Sequence, residues 1–308
     1  MDQSIEYKEQ KMNISQKQTL SLDHVLMTVH DYEQSFQSYQ KLGFAPSPIS
    51  YHPWGTVTSF MMFEDNFIEL IGVNDASKFG TNAVNGFCFG RQMGEFLKQP
   101  EDGISLIALH SKDTRGDYPE LMKKHSSHQG IVDFRREIIL DDGTPDEVVV
   151  TIGLLIDDVY PQASGFICQQ HRPDLIWVDD WCHHPNGATR IKAVTYGAED
   201  LSILQSRWSL DYGDKVVSKD GVVAVETGSG VLKAMNFSKI SEYYASIDQP
   251  VSHDTNPHPV ALTIATRDLQ ALAGILETNQ LPHQICGDRI LVSPRVTGNI
   301  IMEFVPEK

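Results

Sequence analysis

The sequence predicts an α+β protein assembled from four β-α-β-β-β modules that pack as two pairs. Two observations carry this prediction. One strand, one helix and three short strands follow each other through residues 22–73, and a unit of the same order and nearly the same internal spacing closes the chain over residues 259–307. Two looser copies fill the stretch between them.

In the opening module, HVLMTV alternates and is rich in β-formers, which reads as a strand. The next segment, DYEQSFQSYQKLGF, sets Tyr32, Phe36, Tyr39 and Leu42 at helical spacing, with Asp31 placed to cap the start and Gly43 to end it. PISYH, TVTSFMMFED and NFIELIGV then read as three strands divided by Pro, Gly and Asp-Asn turn signals. In the closing module, PVALTIATRD is a strand, LQALAGILETNQLP a helix, and DRILVSP and GNIIMEFVPE are strands. With Asp31 and Asp268 aligned as caps, Ala261 falls where His24 stands, and Glu303 matches Glu69.

The second module opens with ISLIALHSKD and runs through YPELMKKHSSHQG, FRREIIL, EVVVTIGLLI and GFICQQH. The third opens with IKAVTYGAED and runs through LSILQSRWSLDYG, GVVAVETG and GVLKAMNF. Asp, Pro, Asn and Gly cluster in VDDWCHHPNGATR, residues 178–190, so the boundary between the pairs is set there. The expected organisation is a polar tail at residues 1–19, a first domain at 20–180 and a second at 185–308.

Composition narrows the function. The chain has 308 residues and 41% apolar content, enough for a sizeable core. Its 25 basic and 41 acidic residues give a net charge of −16, which argues against a nucleic-acid or anionic-membrane partner. No stretch is apolar enough to span a bilayer, and the amino terminus lacks the apolar segment of a signal peptide, so a cytoplasmic location is expected. Cys88, Cys168, Cys182 and Cys286 show no CxxC spacing and read as reduced thiols. Gly-rich GFCFGRQMGEF lacks the Lys-Ser/Thr of a phosphate loop, and there is no Gly-x-Ser-x-Gly elbow of a serine hydrolase.

LDHVLMTVHDYEQSFQSYQKLGF, HPWGT and NFIELIGV together resemble the opening module of the vicinal oxygen chelate superfamily, and GFICQQHRPDLIWVDDWCHHPNGA is similar to the middle of its glyoxalase-like branch. The resemblance covers residues 20–305. It implies two glyoxalase-like domains, each a pair of modules with a curved mixed sheet forming a cup and the helices outside. It also implies a divalent metal held by side chains of first and last strands. The superfamily includes glyoxalases, extradiol dioxygenases, epimerases, fosfomycin-modifying enzymes and metal-free drug-binding proteins of the bleomycin-resistance type, so the fold leaves the reaction open.

In this frame His24 and Glu69 are the candidate metal ligands, an N/O pair suited to Zn, Mn, Fe, Co or Ni, and Gln170 is the third. The opposing reading is a hydrogen-bonded structural His and a strand Glu paired elsewhere. Leu106 takes the place of His24 in the second module, and His171 points to the other face of its strand unless a bulge turns it. Ala193 and Ala261 stand where a dioxygenase would carry two His, which argues against that activity in the second pair; only a register slip would bring in His258. His52, Arg91, Arg172 and His184 are candidate substrate contacts, with loop capping or a solvated surface as the alternative for each. Trp177 and Trp181 read as packing residues.

The expected function is a glyoxalase-like small-molecule enzyme, a metal-dependent isomerase or lyase acting on vicinal oxygens. In it the metal polarises a carbonyl and Glu69 moves a proton. The rival is a metal-free small-molecule binding protein. The expected partner is a small-molecule ligand, and the chain is expected to be a monomer or homodimer.

Overall fold

The structure is a computed structural model that describes residues 17–125, 129–139 and 143–308. The predicted polar tail falls outside the described residues except for its last three positions.

Strand β1 (Leu22–Val29) is buried along its whole length because it sits mid-sheet with both faces covered. Val25, Met27 and Val29 enter a core shared with the helices, while Leu26 joins a separate apolar cluster on the concave side. Helix α1 (Tyr32–Lys41) starts where the Asp31 carboxylate accepts from the Gln34 amide at 2.9 Å, and it ends ahead of Gly43, whose φ of +82° suits glycine. A side chain there would also strike Asn186, since a Cβ would lie 2.9 Å from that residue's own Cβ.

β2 (Ser50–Tyr51), β3 (Thr56–Met62) and β4 (Phe67–Val73) complete the first module. Helix α2 (Phe89–Phe96), the Gly-rich segment of the sequence, links it to β5 (Gly103–His110), α3 (Thr114–Met122), β6 (Ile131–Ile139), β7 (Pro145–Leu155) and β8 (Gly165–Gln170). These strands form one mixed sheet in the order β2-β3-β4-β1-β5-β8-β7-β6. Last strands run parallel to first strands within each module, and β1 meets β5 antiparallel at the centre.

The second half repeats the plan with β9 (Ala188–Gly197), α4 (Leu201–Tyr212), β10 (Val217–Lys219), β11 (Val222–Glu226) and β12 (Val231–Met235). Then come α5 (Phe237–Tyr243), β13 (His258–Thr266), α6 (Leu269–Thr278), β14 (His283–Cys286), β15 (Arg289–Val292) and β16 (Ile301–Pro306). Its sheet order, β10-β11-β12-β9-β13-β16-β15-β14, matches that of the first. β10 and β14 are short edge strands that the sequence reading passed over, because neither carries an apolar alternation. The segment 178–190 lies in the second part of the β8–β9 connection and runs into the first three residues of β9.

Outer faces and helices share one core that runs through both halves, including Tyr39, Leu121, Leu204, Trp208, Leu272 and Leu276. Across the seam, Asn66 donates to the carbonyls of Ile191 (3.0 Å) and Ser229 (2.8 Å) and accepts from the Ile191 amide (2.8 Å). Each concave face has its own apolar cluster, large in the first half and small in the second.

Candidate functional site

The first cup is walled by aromatic rings, among them Trp54, Phe60, Phe67, Phe89, Phe134 and Phe166. Its sheet curls far enough for the two edges to meet. Phe134 of β6 packs edge-on against Trp54, just after β2, with centroids 4.9 Å apart, and Arg136 of β6 donates to the Ser50 hydroxyl of β2.

Glu69 is the focus of the polar groups inside. Its Oε2 lies 3.6 Å from His24 Nε2 and its Oε1 lies 3.7 Å from His52 Nε2, so an imidazole flanks each oxygen. Glu69 is 6% exposed, and this burial raises its pKa above the ordinary value against the pull of His24, the Thr58 hydrogen bond and Arg136. Thr58 Oγ1 sits 2.9 Å from Glu69 Oε1 and 3.0 Å from the Leu70 carbonyl. One hydroxyl proton serves one of these at a time. When it goes to Leu70, a protonated Glu69 donates to Thr58 instead, and both states of the carboxyl are accommodated.

His24 is fixed from behind. A register shift in the β1–β5 pairing between Leu22 and His24 brings Asp23 beside it, and the Asp23 carboxylate meets His24 Nδ1 at 2.8 Å. Burial pushes Asp23 up, but Lys17, His110 and His24 outweigh it and hold the carboxyl well below its usual range. The Asp23 carboxylate accepts the hydrogen bond from Nδ1–H and orients the ring, which leaves Nε2 facing Glu69. The ring stacks on Phe67 at 4.3 Å. His52 stacks on Trp54 at 4.8 Å, and burial, reinforced by Arg136 and His24, pushes its pKa down to about 3, which keeps it neutral.

Gln170 and Cys168 line the same cup. Gln170 Oε1 is buried with no hydrogen-bond partner, and burial pushes the Cys168 thiol well above its ordinary pKa. The remaining predicted contacts lie elsewhere. Arg91 is exposed on α2 and donates to the Gly86 carbonyl. Arg172 is held by Asp146 (2.7 and 2.9 Å) and Asp174 (3.1 and 2.8 Å). His184 is buried in the seam, where Nδ1 accepts from the Ala45 amide and Nε2 donates to the Met62 carbonyl, so neither nitrogen is left for a ligand. His171 bonds Thr151 Oγ1 at 2.8 Å.

Sequence reasoning missed Arg136, Trp54 and Asp23. Arg136 was detectable in principle, since Phe134, Arg136 and Ile138 share one face of β6.

Registers locate the corresponding positions of all four modules. Counting from the caps, His24 corresponds to Leu106, Ala193 and Ala261. Glu69 pairs with Leu26, and the equivalent pairs are Phe166 with Ala108, Lys233 with Thr195 and Glu303 with Thr263. In the first cup, therefore, His24 and Glu69 are donors while Leu106 and Phe166 are apolar. Among the described residues, no group of three or more His, Cys, Asp and Glu side chains is arranged to hold a metal ion. Gln170, whose Oε1 is buried without a hydrogen-bond partner, lines the same cup as His24 and Glu69.

Paired β-α-β-β-β modules, curled around a cup with helices outside, define a protein of the vicinal oxygen chelate type. The model of the glyoxalase-like domain family matches residues 22–210, and the chain belongs to that family. Among solved structures, it is similar to a hypothetical protein from Staphylococcus aureus, at 14% identity over 92% of this chain and 98% of that one, with a TM-score of 0.63. A fusion of a xylose isomerase-like TIM barrel with 4-hydroxyphenylpyruvate dioxygenase is similar at 10% identity over 94% of this chain and 49% of that one (TM-score 0.55). So is a mutant 4-hydroxymandelate synthase from Streptomyces coelicolor, at 10% identity over 94% and 93% (TM-score 0.51). At such identities the likeness is one of fold. No curated protein matches the sequence. No helix among the described residues is long and apolar enough to cross a membrane.

Proposed function

We propose that the first cup is the active site of a glyoxalase-like isomerase or lyase, in which Glu69 moves a proton on a small molecule bearing vicinal oxygens. The observation that carries this reading is a buried carboxyl with raised pKa, flanked by two imidazoles and hydrogen-bonded to a hydroxyl that tolerates either protonation state. A carboxyl shifted toward neutrality is a better match for general acid–base work near pH 7 than an ordinary one. Asp23 orients His24, Thr58 orients Glu69, and the aromatic walls exclude water.

His24 Nε2, Glu69 and Gln170 Oε1 are the residues that would hold a divalent ion (Zn, Mn, Fe, Co or Ni). Such an ion supplies a Lewis acid for the substrate's oxygens. The metal-free binding-protein reading draws support from Leu106 and Phe166, which make the opposite half of the donor ring apolar.

Two measurements test this. Proton NMR in D2O follows loss of the C–H signal next to the carbonyl across a panel of α-hydroxycarbonyl compounds and thiol hemithioacetals of 2-oxoaldehydes. Exchange or turnover by the wild type that is lost in Glu69→Gln is expected; a panel that binds but never exchanges points to the binding protein. Elemental analysis of wild type and His24→Ala, purified without chelator, reads the metal separately. Near-stoichiometric metal that disappears in the variant is the result expected of a ligand His24. Metal-free wild type that takes up no added ion removes the chelate.

A further inference from the structure

We propose that the first cup selects an anion: a small molecule with a flat, apolar body and one carboxylate, which Arg136 receives. The inference rests on reading this cup as a small-molecule site and names the class of molecule it takes.

Alternation along β6 turns Arg136 inward beside Phe134, while its neighbour Arg135 points out and pairs with Glu147 at 2.5 Å. Among the described residues no carboxylate lies within ion-pair distance of Arg136. Its Nη1 donates to the Ser50 hydroxyl, and its Nε–H is buried without an acceptor. An inward guanidinium with a free N–H and no committed counter-ion is costly to keep in an apolar cup. A carboxylate offers both the charge and the acceptor, and its planar geometry matches the guanidinium fork.

The walls describe the rest of the ligand. Phe60, Phe67, Phe89 and Phe166 present ring faces and edges, and the Trp54 indole N–H is a second buried donor without an acceptor. Donors without acceptors in an aromatic cavity call for an acceptor-rich head on an apolar body.

The test is calorimetric titration of the full chain with phenylacetate and with its neutral isostere phenylacetamide, on wild type, Arg136→Gln, Arg136→Lys and Arg91→Gln. Phenylacetate is expected to bind about tenfold tighter than the amide, as a buried charge-assisted contact warrants. Arg136→Gln should erase that preference, Arg136→Lys should keep part of it, and Arg91→Gln all of it. Equal affinity for acid and amide, or a preference that survives in Arg136→Gln, overturns the anion subsite and leaves the cup as a small-molecule site. Failure of both probes to bind overturns the subsite as well. A preference for the acid combined with no proton exchange on any substrate keeps the subsite and removes the acid–base reading.

Discussion

Glu69 and Glu303 stand at the same register position of their modules, opposite Leu26 and Thr263, yet they have been put to opposite uses. In the second cup Arg289 reaches Glu303 Oε1 at 2.7 Å and Thr263 donates to Oε2 at 2.8 Å. Tyr243 and Tyr244 close over the same carboxylate at 3.4 and 3.3 Å, and Lys233 occupies the matching position of the third module. Tyr244, fully buried, and Ile240 of α5 fill the cup with side chains. Among the described residues no Lys or Arg is bonded to Glu69, which instead faces His24, His52, Thr58 and the space of the cup. The chain supplies a counter-charge to the carboxylate at this position in the second cup, through Arg289, and not in the first; the proposed proton transfer needs that difference.

The largest effect that separates the two cups is on proton transfer. Glu69→Gln should slow substrate exchange by about 10²- to 10⁴-fold, the range for loss of a general acid–base group, with the fold intact. Glu303→Gln should leave exchange untouched, and equal losses in both variants would sink the contrast. Next comes stability. Arg289→Ala strands the buried Glu303 and should cost about 3 kcal/mol in urea unfolding. Glu69→Gln should cost nothing or stabilise, because it removes a charge that burial opposes.

A smaller effect belongs to the back of the site. Asp23→Asn withdraws the carboxylate that fixes the His24 tautomer and should lower activity by about tenfold, with binding less affected. Measuring kcat and KM separately distinguishes this from a general loss of folding.

The smallest effect is in the pH dependence of stability of metal-free protein. The folded-state pKa of Glu69 is raised above 4.5, so its contribution to stability is fully present below that value and is lost as pH rises through the raised pKa. Gln at this position does not titrate. The unfolding midpoint of the variant should therefore gain on wild type as pH climbs from 4.5, and a constant difference would mean that Glu69 titrates normally.

The module plan was legible in the sequence because strand alternation, helix spacing and Asp caps are local signals. The alignment of Asp31 with Asp268 correctly placed Glu303 at the register of Glu69. β10 and β14 were illegible since their residues are largely solvent-facing and pair only at sheet edges. Within the cup, the pairing of His24 with Glu69 followed from the resemblance, while Arg136 was hidden in the charged run RRE, where only the strand's phase tells an inward arginine from a solvated one. For His184, its turn-rich surroundings left a substrate contact and loop capping both open, and its bonds to the Ala45 amide and the Met62 carbonyl show a residue held by backbone.

Asn66, which immediately precedes the strand carrying Glu69, spends its whole side chain on backbone of the other half. The second half is thus a splint for the first, through backbone of Ile191 and Ser229. It holds the root of β4 at three hydrogen bonds, so a substitution far from the first cup can detune Glu69 by moving its strand without touching any group that meets the substrate.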